Sequence, residues 1–217
     1  MSKPIRKRSV ARNVEDKAEL RGAILKAARQ IVIAKGFGEL SIRKLAAEIG
    51  YAPGTIYLYF KSRDEIVREI CVQGFAELGT AMMAAGEKET EPIAKFTALL
   101  KSYVDFAVKN PETYRLSFME NPQFADEMFR LAPLETEHGA GRKALNSLAI
   151  ALKELKEIGE ISETEDETLL AEIFWTAIHG AVSLKLIYPA IPFNSVEKLI
   201  DKTIQTLFRG LKNDSLR

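Results

Sequence analysis

Residues Ile42 to Ile66 read IRKLAAEIGYAPGTIYLYFKSRDEI, and the fold turns on how this stretch divides. Ser41 just ahead of it suits a helix N-cap, Leu45 and Ile49 share one helical face, and Gly50 supplies a stop. Pro53 belongs in the first turn of a new helix, which the apolar spacing carries to Phe60. Ser62-Arg63-Asp64-Glu65 then has the Ser-x-x-Glu form of a capping box and opens a further helix toward Met83. Three helices in so short a stretch leave the middle one with little to bury.

At about 100° per residue, Ile56 and Phe60 fall together and face a core shared with Leu45 and Ile49. The opposite arc holds Thr55, Tyr57, Leu58, Tyr59 and Lys61. It mixes hydroxyls, an aliphatic group and a cation, a set that suits phosphate oxygens, base edges and the thymine methyl in a major groove. Two short helices across a tight glycine turn, the second carrying such an arc, make a helix-turn-helix candidate. Arg43 and Lys44 at the start of the first helix, and Arg63 at the start of the helix after, bring positive charge to the same region.

Charge along the whole chain supports that assignment. Residues 1–63 carry fourteen Lys/Arg against five Asp/Glu, whereas from Asp64 onward seventeen face twenty-five. A basic block joined to an acidic remainder reads as a polyanion-binding module attached to a part that does not touch the polyanion. The chain of 217 residues is 47% hydrophobic, enough to bury a core. Apolar runs fall short of the roughly 20 residues that span a bilayer, and the N-terminus lacks the apolar segment of a signal peptide, so a cytoplasmic protein is expected. A lone Cys71 and two histidines, His138 and His179, imply neither disulfide nor metal, and no cofactor is expected.

The spacing predicts an amphipathic helix from Asp16 to Lys35, and helices at about Ile93 to Lys109, Pro111 to Met119, Ala125 to Leu131, Thr136 to Ile158, Thr164 to Tyr188 and Ser195 to Lys212. No strand pattern stands out, and the fold class is all-α. The organisation expected is a basic flexible arm over residues 1–15, a helix-turn-helix domain over 16–62, and a helical domain for ligand binding and dimerisation over 63–217.

The segment from about Lys17 to Glu65 resembles the DNA-binding domain of the TetR family of transcriptional regulators. SIRKLAAEIG matches its second helix, and PGTIYLYFKSRDEI its recognition helix and the start of its linking helix. The resemblance implies base or phosphate contacts from Arg43, Thr55, Tyr57 and Tyr59, with Pro53 and Gly54 at the start of the recognition helix and Lys44, Lys61 and Arg63 near the DNA backbone. Ile49 stands where a small residue is common, and Tyr51-Ala52 where Val-Ser is frequent. The usual hydroxyl cap is therefore missing, and Tyr51 becomes a candidate contact itself. Farther on, the W-x-x-x-H-G pattern at Trp175, His179 and Gly180 resembles the WHG domain of one branch of these regulators.

Trp175 and His179 stack on one helix face, and Gly180 among small residues is expected to admit another backbone closely. Phe106, Tyr114, Phe118, Trp175 and His179 are the candidates for lining a ligand cavity. Acidic Glu112, Glu120, Asp126 and Glu127 nearby are compatible with a cationic ligand. Ile173, Ile178 and Leu184, with Leu199, Thr203 and Leu207, lie on stripes that suit a four-helix dimer interface, as the family uses. The function implied is a sequence-specific, homodimeric repressor released from double-stranded operator DNA by a small molecule. Rivals are a regulator controlled by a protein partner or acting as an activator, for which a filled C-terminal core would speak, and a helical-bundle enzyme. No paired carboxylates, metal set or phosphate loop favour catalysis, and the chain is not expected to be an enzyme.

Overall fold

The computed structural model describes the backbone of residues 5–120 and 139–212, and the side chains of residues 16–120, 139 and 141–211. Among the described residues every regular element is helical, so the all-α fold holds. The chain forms two compact units, Met1–Cys71 and Val72–Arg217.

In the first unit α1 spans Ile5–Lys35, α2 Ile42–Glu48 and α3 Pro53–Tyr57, and α4 begins at Arg63. α1 thus starts eleven residues before the expected Asp16, running back into the segment assigned to the arm. Its Ile24, Ala28, Ile31 and Val32 are buried and share the core with Leu40, Leu45, Ile56, Phe60, Ile66 and Val67. The Ser41 hydroxyl accepts from the Lys44 amide at 3.2 Å, as a cap should. Gly50, at φ 73°, closes α2 with the paired bonds Tyr51 N to Ala46 O (2.9 Å) and Gly50 N to Ala47 O (3.3 Å). That is the Schellman arrangement, and it needs a left-handed residue at this place. α3 ends at Tyr57 rather than Phe60 because Leu58 and Tyr59 tighten into i to i+3 bonds on Thr55 and Ile56.

α4, Arg63–Gly86, contributes its first part to one unit and the rest to the other. The Ser62 hydroxyl accepts from the Glu65 amide at 3.2 Å, while the Glu65 carboxylate reaches back to the Lys61 amide rather than to Ser62. The second unit continues with α5 (Pro92–Lys109), α6 (Pro111–Arg115), a π-helical turn (Leu116–Glu120), α7 (Ala140–Glu157), α8 (Glu167–Ile187) and α9 (Val196–Lys212). The helix expected over Ala125–Leu131 lies outside the described residues. α8 starts at Glu167, three residues after the expected Thr164, and Asp166 caps it, its carboxylate accepting from Thr168 N at 2.8 Å and Leu169 N at 3.0 Å. Phe96, Phe174 and Phe208 meet edge to face or tilted, with centroids 4.8 to 5.5 Å apart, and tie α5, α8 and α9 into one core.

α8 is long and carries only Glu167, Glu172 and Lys185 as charged residues. An 18-residue window in it has mean hydropathy 1.3, so by length and composition alone it is apolar enough to cross a membrane. Only 28% of that window is buried in the unit, which leaves a long apolar face open.

The turn at Gly50 gives a direct check on the helix-turn-helix geometry. Gly50→Ala forces a Cβ into the left-handed region and is expected to cost about 1–2 kcal/mol in urea unfolding. Gly54→Ala, where the backbone is helical and an added Cβ meets nothing within 4 Å, is expected to leave stability unchanged or slightly raised.

Candidate nucleic-acid interface and internal cavity

A five-residue helix does not persist in water by itself, so α3 is held by what it buries. Ile56 is 0% and Phe60 1% exposed, and the Phe60 amide bonds the Ile56 carbonyl at 3.0 Å. The Arg21 guanidinium lies 4.9 Å from the Phe60 ring centre and is itself held by Glu69 at 3.0 Å. Ala52 gives no side-chain cap, as the sequence suggested. The anchoring is therefore made by packing rather than by capping.

Against this base, the candidate contact residues separate. Tyr57 is 56% and Tyr51 48% exposed, and Arg43, Pro53, Gly54 and Lys61 stand open to solvent. Thr55 and Tyr59 are half-buried, and Tyr51 and Tyr59 both line a surface groove with Asp16, Leu20 and Ala23 of α1. Lys44 is exposed but paired with Glu39, whose carboxyl it holds below the usual range through that hydrogen bond. Arg63 stacks 4.6 Å from the Phe37 ring centre and sits 3.4 Å from Asp64, so its charge already has internal partners. Leu58, expected at the middle of the outward arc, is the most open of the exposed large apolar side chains among the described residues, at 82%.

In the second unit, a cavity of about 20 Å³ is lined, among the described residues, by Phe75, Leu78 and Met82 of α4, Leu100 and Tyr103 of α5, Phe118, Leu148 and Trp175. No charged side chain is in that lining, which disfavours a buried cation; Asp126 and Glu127 lie outside the described residues. Phe118, on the π-helical turn, is its hub. Its ring centre lies 5.0 Å from Phe75, 4.9 Å from Tyr114, 5.2 Å from His179 and 6.5 Å from Trp175. Phe106 is buried on α5 but is not in the lining. Tyr114 and His179 stand beside it in a polar cluster.

The Tyr103 and Tyr114 hydroxyls lie 2.6 and 2.7 Å from His179 Nδ1 and 3.2 Å from each other. In the tautomer with its proton on Nε2, Nδ1 has one lone pair, so one hydroxyl donates to it and the other to its neighbour's oxygen. The indole N–H of Trp175 donates to the Tyr103 hydroxyl. Burial raises both tyrosine pKa values well above the usual 10 and lowers that of His179. All three are neutral at physiological pH. The sequence marked Trp175 and His179 but not Tyr103, which read as one more core aromatic beside Phe96 and Phe106 on α5.

Of the residues expected at a dimer interface, Ile173 and Leu184 are 40% and 46% exposed, and Leu199, Thr203 and Leu207 are half-buried. Ile178 is 0% exposed and belongs to the core of the unit, because it points at the opposite side of α8. Gly180 does not admit a backbone within the unit: a Cβ there meets nothing within 4 Å. The close approach is instead at Gly74 on α4, where a Cβ would lie 2.7 Å from the Thr113 methyl.

Residues 24–70 match the family model described as bacterial regulatory proteins, tetR family, and residues 96–207, just over half of the chain, match the tetracyclin repressor-like C-terminal domain. The latter stands where the Trp175-His179-Gly180 spacing suggested the WHG form. An uncharacterized HTH-type transcriptional regulator of Haemophilus influenzae is 34% identical over 99 residues, 44% of this chain and 51% of that protein, so the chain spans about half its length. The fatty acid metabolism regulator protein of Bacillus subtilis is 26% identical over 167 residues, 74% of this chain and 80% of that one. The solved structure of the transcriptional regulator FadR from Bacillus subtilis in complex with stearoyl-CoA superposes with a TM-score of 0.68 at 19% identity, over 87% of this chain and 97% of that one.

The buried imidazole sets a pH dependence whose sign is fixed. Its native pKa is below the unfolded value of 6.5, so the unfolded state binds more protons under that pH and stability falls as pH drops from about 6.5 toward the lowered native value. Urea midpoints taken between about pH 7.5 and 5 are expected to show this decline, up to about 1.4 kcal/mol per pH unit from this group, and His179→Asn to lose that component.

Proposed function

The chain belongs to the tetR family of bacterial regulatory proteins and is a DNA-binding transcriptional regulator, and we propose that it is a homodimeric, cytoplasmic repressor released from its operator by a small molecule with a hydrocarbon chain. The family is one of regulators rather than enzymes. Tyr57, Arg43 and Lys61 are assigned to DNA contact because they are open beside an anchored α3. Tyr51, Pro53, Gly54, Thr55 and Tyr59 frame that face, and Lys44 and Arg63 follow the phosphate backbone only by exchanging internal partners for it.

The observation that carries the effector reading is the uncharged cavity around Phe118. Phe75 of α4 packs on that ring at 5.0 Å, and α4 contributes to both units. A hydrocarbon chain of many methylenes exceeds about 20 Å³, so its entry requires Phe118 and Trp175 to separate and moves the wall that α4 supplies. The effector binds the separated arrangement alone, and that difference in affinity drives the shift. Taking a population from 99:1 to 1:99 needs about 5.5 kcal/mol of it, within reach of a buried chain at about 0.8 kcal/mol per methylene. Relatives named as a fatty acid metabolism regulator and solved with stearoyl-CoA point to the same ligand chemistry.

The dimer is supported by α8. Leu169, Ile173, Thr176, Gly180, Leu184 and Ile187 recur at four- and three-residue steps on one face, and Leu169, Ile173, Leu184 and Ile187 are each at least 40% exposed. A second copy related by a two-fold axis would cover it with the same stripe, α9 lending Leu199, Thr203 and Leu207 at the edge. Gly180, which meets nothing in its own unit, then gains a purpose at the crossing.

A second reading rests on the same volume, since about 20 Å³ is close to a filled core, and a protein partner would then replace the small molecule. Fluorescence anisotropy on a duplex recovered by selection from random sequence separates the two. Micromolar stearoyl-CoA is expected to release the wild-type protein from it, and Phe118→Ala to shift the midpoint; no release by acyl chains of any length favours the partner. Tyr57→Ala is expected to weaken binding at least about ten-fold with the dimer intact, while Gly180→Leu leaves each unit folded and halves the mass seen in sedimentation. Wild-type affinity in the first variant would remove Tyr57 from the contact face, and an unchanged mass in the second would move the interface off α8.

A further inference from the structure

Leu58 is 82% exposed, and among the described residues three of the four exposed large apolar side chains of the first unit, Tyr51, Tyr57 and Leu58, fall within eight residues. They are not scattered. At about 100° per residue, Leu58 lies about 180° from the mean direction of the buried pair Ile56 and Phe60, so it stands at the centre of the outward arc. Its backbone is fixed there: it is helical (φ −73°, ψ −19°), and its amide bonds the Thr55 carbonyl at 3.2 Å. On the same wheel Tyr57 flanks it on one side, Thr55 and Tyr59 on the other. An aliphatic side chain gains nothing from phosphate oxygens or from base N–H and C=O groups. In a major groove the base-edge group it matches is the C5 methyl of thymine.

We propose that Leu58 reads a thymine methyl in each operator half-site and is a specificity-determining residue of this protein, a proposal that rests on α3 being the DNA-reading element. Hydroxyls and cations around it position the helix. Leu58 then distinguishes thymine from the other bases, and also from uracil, which presents the same hydrogen-bonding edge without the methyl.

The test uses that last difference. In the duplex recovered by selection, each dT is replaced in turn by deoxyuridine, which deletes the methyl and nothing else. Burying one methyl is worth about a four-fold change in affinity per half-site, so the wild-type protein is expected to lose about four-fold at one symmetry-related dT and little elsewhere. Leu58→Ala is expected to bind more weakly than wild type and to be indifferent to deoxyuridine at that same dT, with an unchanged circular dichroism spectrum, since the side chain it trims is exposed. The inference is overturned by a recovered half-site with no dT, by a wild-type protein indifferent to every replacement, or by Leu58→Ala retaining the wild-type pattern of sensitivity. Selection that enriches no sequence overturns the DNA-reading assignment itself and the inference with it, a failure distinct from the preceding three.

Discussion

Everything the first unit can do depends on the burial of Ile56 and Phe60. α3 has five residues and no side-chain cap, so its own hydrogen bonds do not sustain it. With both anchors at 0 to 1% exposure, and Arg21 laid over the Phe60 ring, the remaining side chains are presented from a fixed base. The left-handed turn at Gly50 sets the angle between α2 and α3, and the Ser41 cap fixes where α2 begins. Recognition surfaces gain affinity when their geometry is set beforehand, because less conformational freedom is lost on contact. The division of labour across residues 55–61, two holding and five presented, is how a short segment meets that requirement.

The second unit is organised around a comparable anchor of opposite purpose. Phe118 sits on a π-helical turn, a register that breaks the regular ladder and is frequent at functional positions. The turn leaves the Ser117 hydroxyl buried without a hydrogen-bond partner among the described residues, a small cost held in the fold. Around the ring gather α4 through Phe75, α5 through Tyr103 and α8 through Trp175 and His179. Packed interiors switch between arrangements rather than deforming smoothly. A hub touching three helices is thus well placed to convert occupancy of a cavity into displacement of a helix, which is the role proposed for it.

The helix-turn-helix was legible in the sequence because each of its signals is local: a cap at Ser41, a left-handed glycine, a proline at a first turn and a two-residue anchor at helical spacing. Its charge was legible for the same reason. What local signals do not carry is the use each charge is put to. Arg63 and Lys44 read as free cations, yet Phe37, Asp64 and Glu39 engage them. The cavity was only half legible, since Phe118 and Trp175 stood out by residue type while Tyr103 depended on tertiary contact with Tyr114 and His179. Gly180 was noticed and Gly74 was not, although Gly74 is where a neighbouring helix approaches closely within the unit. Periodicity placed Ile178 on an apolar stripe, but α8 is apolar on both sides, and a stripe alone does not say which side faces inward.

The central claim is that two copies of this chain present two α3 helices to one two-fold symmetric DNA site. The most direct measurement is the mass of the protein–DNA complex, by sedimentation equilibrium, on the duplex recovered by selection, read together with the symmetry of that sequence. An inverted repeat is expected, its half-site centres about 10 base pairs or a multiple apart, carrying an even number of chains, with no stable species of one chain on the full site. A single unrepeated site saturated by one chain at full affinity would contradict it.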